Sequence, residues 1–152
     1  IITAKLPMGL FSFLLNKKQP SMDSSINTSG ELIAEVTDGA NLVNGKQTWE
    51  LVDEFKNDIE VMKSCCEAEL RTMEKANLVP APYYFERVAI LSKKNKDYQQ
   101  EIYYCELYIK KVELFYSKNG TKGLADVRKG PTFKAIVERL PKAKKLNDKQ
   151  NT

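Results

Sequence analysis

Three features of the chain predict a mainly α fold, a small bundle of four or five helices. Apolar residues recur at steps of three and four along several long segments. Prolines and glycine-bearing polar clusters punctuate those segments at helical lengths. Short apolar runs between turn signals, the pattern of strands, are confined to residues 31–46, where a short β-hairpin or a short helix with an irregular loop would fit.

The segment that organises the rest is 82–118, which holds all seven tyrosines. Its second half carries Tyr98, Ile102, Cys105, Ile109, Val112 and Tyr116 on one helical face, with Tyr108 and Phe115 widening it. Tyr104, Leu107 and Leu114 add apolar surface elsewhere, so this helix should be covered on more than one side. In the first half, Tyr84, Val88 and Leu91 form a stripe flanked by Phe85 and Ala89. Pro82 suits a first helical turn, where its missing N–H would have no partner. The polar run from Ser92 to Asp97 separates the halves, with Asp97 placed to cap the second. The expectation is a helical hairpin.

Residues Phe85 to Ile109 resemble a single tetratricopeptide-type helix pair. Phe85 would take the first aromatic position, Val88-Ala89 the pair that follows, and Tyr98 the aromatic opening the second helix, with Cys105 and Tyr108 on the packing face. Ser92 and Glu101 depart from the pattern, standing where the family has an aromatic and a small residue. The resemblance covers one repeat of about 34 residues, against the three or more of a typical solenoid. It implies a TPR-like array of hairpins and a role in protein–protein interaction.

Around this hairpin the chain divides into an N-terminal extension and linker (1–30), one helical domain (31–146) and a polar tail (147–152). Residues 1–7 precede the first methionine and are set aside. The apolar stretch 8–15 is too short to span a bilayer and lacks the order of a secretory signal, since Lys17 and Lys18 follow it. It reads as an end docked in a groove. Within the domain, Thr48 is expected to cap the longest helix, running to about Asn77, on the stripe Val52, Phe55, Ile59, Met62, Cys66 and Met73. Pro80 and Pro82 force an extended connection after it. A last helix starts at Thr132 with Phe133, Ile136, Val137 and Leu140 inward, and Pro141 should kink or end it.

Composition excludes several chemistries. The chain has no histidine, which removes Ser-His and Cys-His nucleophile pairs and the commonest metal ligand. Its glycines lack the spacing of a phosphate-binding loop. Carboxylates such as Asp53-Glu54 and Glu67-Glu69 read as a wet helix face with ordinary acidity. Three cysteines, two of them adjacent, fit small apolar fillers in a reducing cytoplasm, with at most one of Cys65 and Cys66 facing the core. No catalytic residue, metal site or cofactor is expected.

Charge is uneven. From Lys118 onward there are ten basic and three acidic residues, while the rest has fourteen against seventeen. The expected function is a non-catalytic, intracellular interaction module, of adaptor, immunity or antitoxin kind, that binds a protein or peptide through exposed tyrosines among Tyr83, Tyr84, Tyr103 and Tyr104. Self-association of the basic tail with the acidic helix is a further option. The alternative is nucleic-acid association through Arg139, Lys142, Lys144 and Lys145 on the basic C-terminal helix.

Overall fold

The computed structural model describes residues 28–122 and 125–152. The stretch 8–15 and most of the linker therefore lie outside the described residues. Six α-helices and a two-stranded antiparallel ribbon make up a small, mainly α bundle. They are α1 (Ser29–Thr37), β1 (Leu42–Val43), β2 (Lys46–Gln47), α2 (Val52–Phe55), α3 (Ile59–Ala76), α4 (Pro82–Lys94), α5 (Tyr98–Asn119) and α6 (Pro131–Gln150). Short 3₁₀ turns occupy Thr48–Leu51 and Val127–Lys129. No described helix is long and apolar enough to cross a membrane.

Helices α3, α4 and α5 pack in succession, α6 lies across α5 and α4, and α1 with the ribbon covers the outer side of α3. The hairpin 82–118 is the centre of the core. Phe85 and Tyr108 stack with ring centroids 4.7 Å apart, and Phe133 of α6 approaches Tyr108 at 6.2 Å. Met62, Val88, Val112 and Ile136 are fully buried around them. Pro82 opens α4, and Asp97 caps α5 by accepting from the Gln100 N–H at 3.1 Å. Residues 31–46 use both alternatives. A helix comes first, then a hairpin whose tight turn is Asn44-Gly45, with φ of 50° and 79°. Both turn residues need positive φ, and glycine at the second removes the steric cost.

Elsewhere the structure departs from local expectation. The helix expected from Thr48 is broken at residues 56–58, so α5, with 22 residues, is the longest. Asp58 starts α3 afresh by accepting from the N–H groups of Glu60 and Val61, and Arg87 of α4 holds the break through the Lys56 carbonyl and the Asn57 side chain. Thr48 sits in the 3₁₀ turn, and its hydroxyl donates to Glu69 Oε1 at 3.2 Å instead of capping. In α5 the buried line runs Glu101, Cys105, Tyr108, Val112, Phe115 and Tyr116, so its centre falls on Tyr108 and Tyr98, Ile102 and Ile109 flank it. Helix α6 continues through Pro141 to Gln150, taking in most of the expected tail. Pro141 is exposed, while Ile136 and Ala143 on either side of it are fully buried. Packing against α5 thus outweighs the lost helical hydrogen bond.

Both adjacent cysteines are buried, because α3 is covered by α4 on one side and by α1 and the ribbon on another. Burial pushes the Cys65 thiol up to about 11, helped by the charge of Glu69. Burial raises Cys105 to about 12, with Glu101 adding to it, and Cys66 is raised further still. Neutral, enclosed thiols are poor nucleophiles. At pH 8 Ellman's reagent should find no rapidly reacting thiol in the native protein and all three after denaturation. A fast native reaction would show that α3 opens readily.

Candidate functional site

The connection 77–81 between α3 and α4 leaves a gap that α1 and the ribbon only partly close. The result is a cleft of about 420 Å³. Its walls include Gly30 and Ile33 of α1, Asn41 of the turn before β1, Gln47 of β2, Thr48 and Trp49 of the 3₁₀ turn, Glu69 and Thr72 of α3, and Leu78 and Val79. These walls are tied to one another. Asn41 Nδ2 donates to the Gly30 carbonyl at 3.0 Å, and Arg71 of α3 donates to the carbonyls of Ala40 and Leu42, both at 3.3 Å. Gly30 lets the Gln47 carboxamide lie against α1, and a Cβ there would push that carboxamide aside.

Glu69 is the one titratable side chain in this lining. It is half-buried, and burial pushes its carboxyl above the usual carboxylate range, opposed by hydrogen bonds from the Ala81 N–H (2.9 Å) and the Thr48 hydroxyl. This corrects the expectation of a wet, unperturbed carboxylate. Among the described residues no Lys or Arg pairs with it. Asn41 Oδ1 is buried with no hydrogen-bond donor among the described residues. Trp49, the only tryptophan, is 66% exposed, its indole N–H held by Gln47 Oε1 at 2.8 Å.

The residues singled out from the sequence fall elsewhere. Tyr83 and Tyr84 form a T-shaped pair at 5.4 Å, Tyr103 and Tyr104 another at 5.3 Å, and no ring contact joins the two pairs among the described residues. Tyr84 is 5% exposed, so it is a core residue and not an anchor. Tyr104 is half-buried, and burial raises its phenol to about 12. Only Tyr83 and Tyr103 present open rings.

The basic helix is also less free than its composition suggests. Arg139 points inward and donates to Glu101 Oε1 at 3.2 Å, and Lys144 pairs with Glu106 at 2.9 Å. Lys142 and Lys145 remain exposed with no ion pair among the described residues. The four cations therefore do not form one open phosphate-binding face.

The lining of the cleft holds one carboxylate, Glu69, with the hydroxyls and carboxamides of Thr28, Ser29, Asn41, Gln47, Thr48 and Thr72, one indole and an apolar floor. Sequence reasoning missed it because its walls come from separate stretches. Its one local signal is Trp49, a residue type enriched at binding hot spots. No protein-family model, no characterised protein and no solved structure matches the chain.

Proposed function

We propose that this chain is a non-catalytic interaction module that docks a partner protein or peptide in the cleft beside Trp49. One observation carries the reading: the sole tryptophan stands 66% exposed on the rim of a preformed cleft whose walls are hydrogen-bonded together. Exposing a large aromatic ring to water is unfavourable unless something covers it, and aromatic anchors beside pockets are where binding energy concentrates. The tetratricopeptide-like hairpin supports the same class, since it would serve as the rigid frame for α3 and its cleft. The nucleic-acid reading has weaker support, because Arg139 and Lys144 are already engaged with carboxylates of α5.

The test is a tagged pull-down from native lysate with nuclease, beside light scattering of the pure protein, for the wild type and Trp49→Ala. A stoichiometric protein partner is expected for the wild type, with binding about tenfold or more weaker for Trp49→Ala. Recovery of nucleic acid alone, a partner indifferent to the substitution, or a partnerless dimer would each overturn the reading.

A further inference from the structure

We infer that Asn44 is a site of spontaneous covalent modification, deamidation through a cyclic imide, and that the fold withholds the same chemistry from Asn119. Neither residue lines the cleft, so the site stands or falls apart from the docking reading.

The chain contains two Asn-Gly pairs, Asn44-Gly45 and Asn119-Gly120. This dipeptide is the one most prone to deamidation, because glycine has no Cβ to shield the backbone nitrogen that follows the asparagine. That nitrogen gives up its proton to base and attacks the asparagine side-chain carbonyl carbon. A C–N bond closes a five-membered succinimide, the bond from that carbon to Nδ2 breaks, and ammonia departs carrying the proton. Water then opens the ring at either carbonyl, leaving aspartate or isoaspartate at the position. Nothing is oxidised or reduced. By sequence the two pairs are equivalent.

The fold separates them by what must break before nitrogen and carbon can meet. Asn119 Oδ1 accepts from the Asn77 carboxamide at 2.7 Å, and its Nδ2 donates to Asn77 Oδ1 at 3.1 Å and to the Phe115 carbonyl at 2.9 Å. The attacking nitrogen is engaged as well, since the Gly120 N–H donates to the Tyr116 carbonyl at 2.8 Å. Asn44 and Gly45 have no such ties. Both are exposed, and neither the Asn44 side chain nor the Gly45 N–H has a hydrogen-bond partner among the described residues. The space where a Gly45 Cβ would stand is open. Only the ribbon holds this turn, and it pairs Leu42 with Gln47 and Val43 with Lys46. So short a ribbon opens readily, whereas freeing Asn119 means unwinding the end of α5 and parting it from α3.

Conversion at Asn44 would reach the cleft wall indirectly. An isoaspartyl link adds a carbon to the backbone inside a tight turn, so β2 cannot keep its register with β1. Gln47 of β2 lines the cleft and holds the Trp49 indole at 2.8 Å.

The test is peptide mapping by mass spectrometry of the full chain held in warm, mildly alkaline buffer, native and in guanidinium. In guanidinium both sites should convert at similar rates. In the native protein Asn44 should stay within about tenfold of its unfolded rate, and Asn119 should fall about a hundredfold or more below its own. Equal native rates at the two sites, or a faster one at Asn119, would overturn the assignment. So would a native Asn44 that does not convert while the unfolded chain does. The isoaspartyl form, separated by ion exchange, should differ from the parent in tryptophan emission, which Trp49 alone supplies. Identical emission would overturn the link to the cleft wall.

Discussion

Replacing Arg139 with methionine should destabilise the fold by about 3–5 kcal/mol. Glu101 is 1% exposed in the middle of α5, and its Oε1 takes its one hydrogen bond from Arg139 across the α5–α6 contact. Its other oxygen has no donor among the described residues, and neither does Arg139 Nε an acceptor. The pair is thus held by a single contact, and Arg139→Met leaves a buried carboxylate with nothing opposite it. The double replacement Glu101→Leu with Arg139→Met removes both charges and fills the space with apolar atoms of similar volume. It should recover stability to within about 1 kcal/mol of the wild type or exceed it, because desolvating two ions costs as much as their attraction returns. Urea unfolding of the four proteins in the cycle measures the coupling directly. If Arg139→Met cost less than about 1 kcal/mol, Glu101 would have to reach water by a route the packing denies it.

That pair also marks where the sequence stops being readable. What was legible was set by neighbours along the chain: the apolar stripes of α4 and α5, Pro82 at a first turn, Asp97 as a cap, Asn44-Gly45 as a tight turn. Asp58 followed by Ile59 was a start signal of the same kind, hidden because the apolar stripe runs unbroken across it. What was not legible depends on residues far apart. Glu101 meets Arg139 38 positions away, and by local rules both belong on a solvated face. Cys65 is buried although it lies off the expected stripe, because α3 is covered by neighbouring elements on more than one side. The carboxamides of Asn77 and Asn119 pair at 2.7 and 3.1 Å across the ends of α3 and α5, 42 positions apart. The cleft is an extreme of the same effect. Asn41 and Glu69 in its lining stand on different elements, and neither is unusual until both are brought to the same space.

The second large effect is expected at Tyr108, the side chain on which core and cleft depend together. Tyr108→Ala should cost about 3–5 kcal/mol, since it removes a fully buried ring stacked on Phe85 and leaves a cavity between α4, α5 and α6. Tyr108→Phe keeps the ring and deletes only its hydroxyl, which donates to the Pro80 carbonyl at 2.7 Å in a buried position. That change strands an acceptor and should cost about 1–3 kcal/mol by urea unfolding. The Pro80 carbonyl and the Ala81 N–H belong to one planar peptide unit, and that N–H donates to Glu69 at 2.9 Å. A single rigid plane is therefore held from one edge by α5 and presents its other edge to the cleft carboxylate. Tyr108→Phe frees the first edge, so it should also alter how Glu69 is held, and partner binding in the cleft, followed at Trp49, should weaken although Tyr108 does not line the cleft. A loss of stability with unchanged binding would mean that Glu69 is positioned by Thr48 alone. A loss of both would establish the Pro80–Ala81 peptide as the mechanical link between the hairpin core and the site.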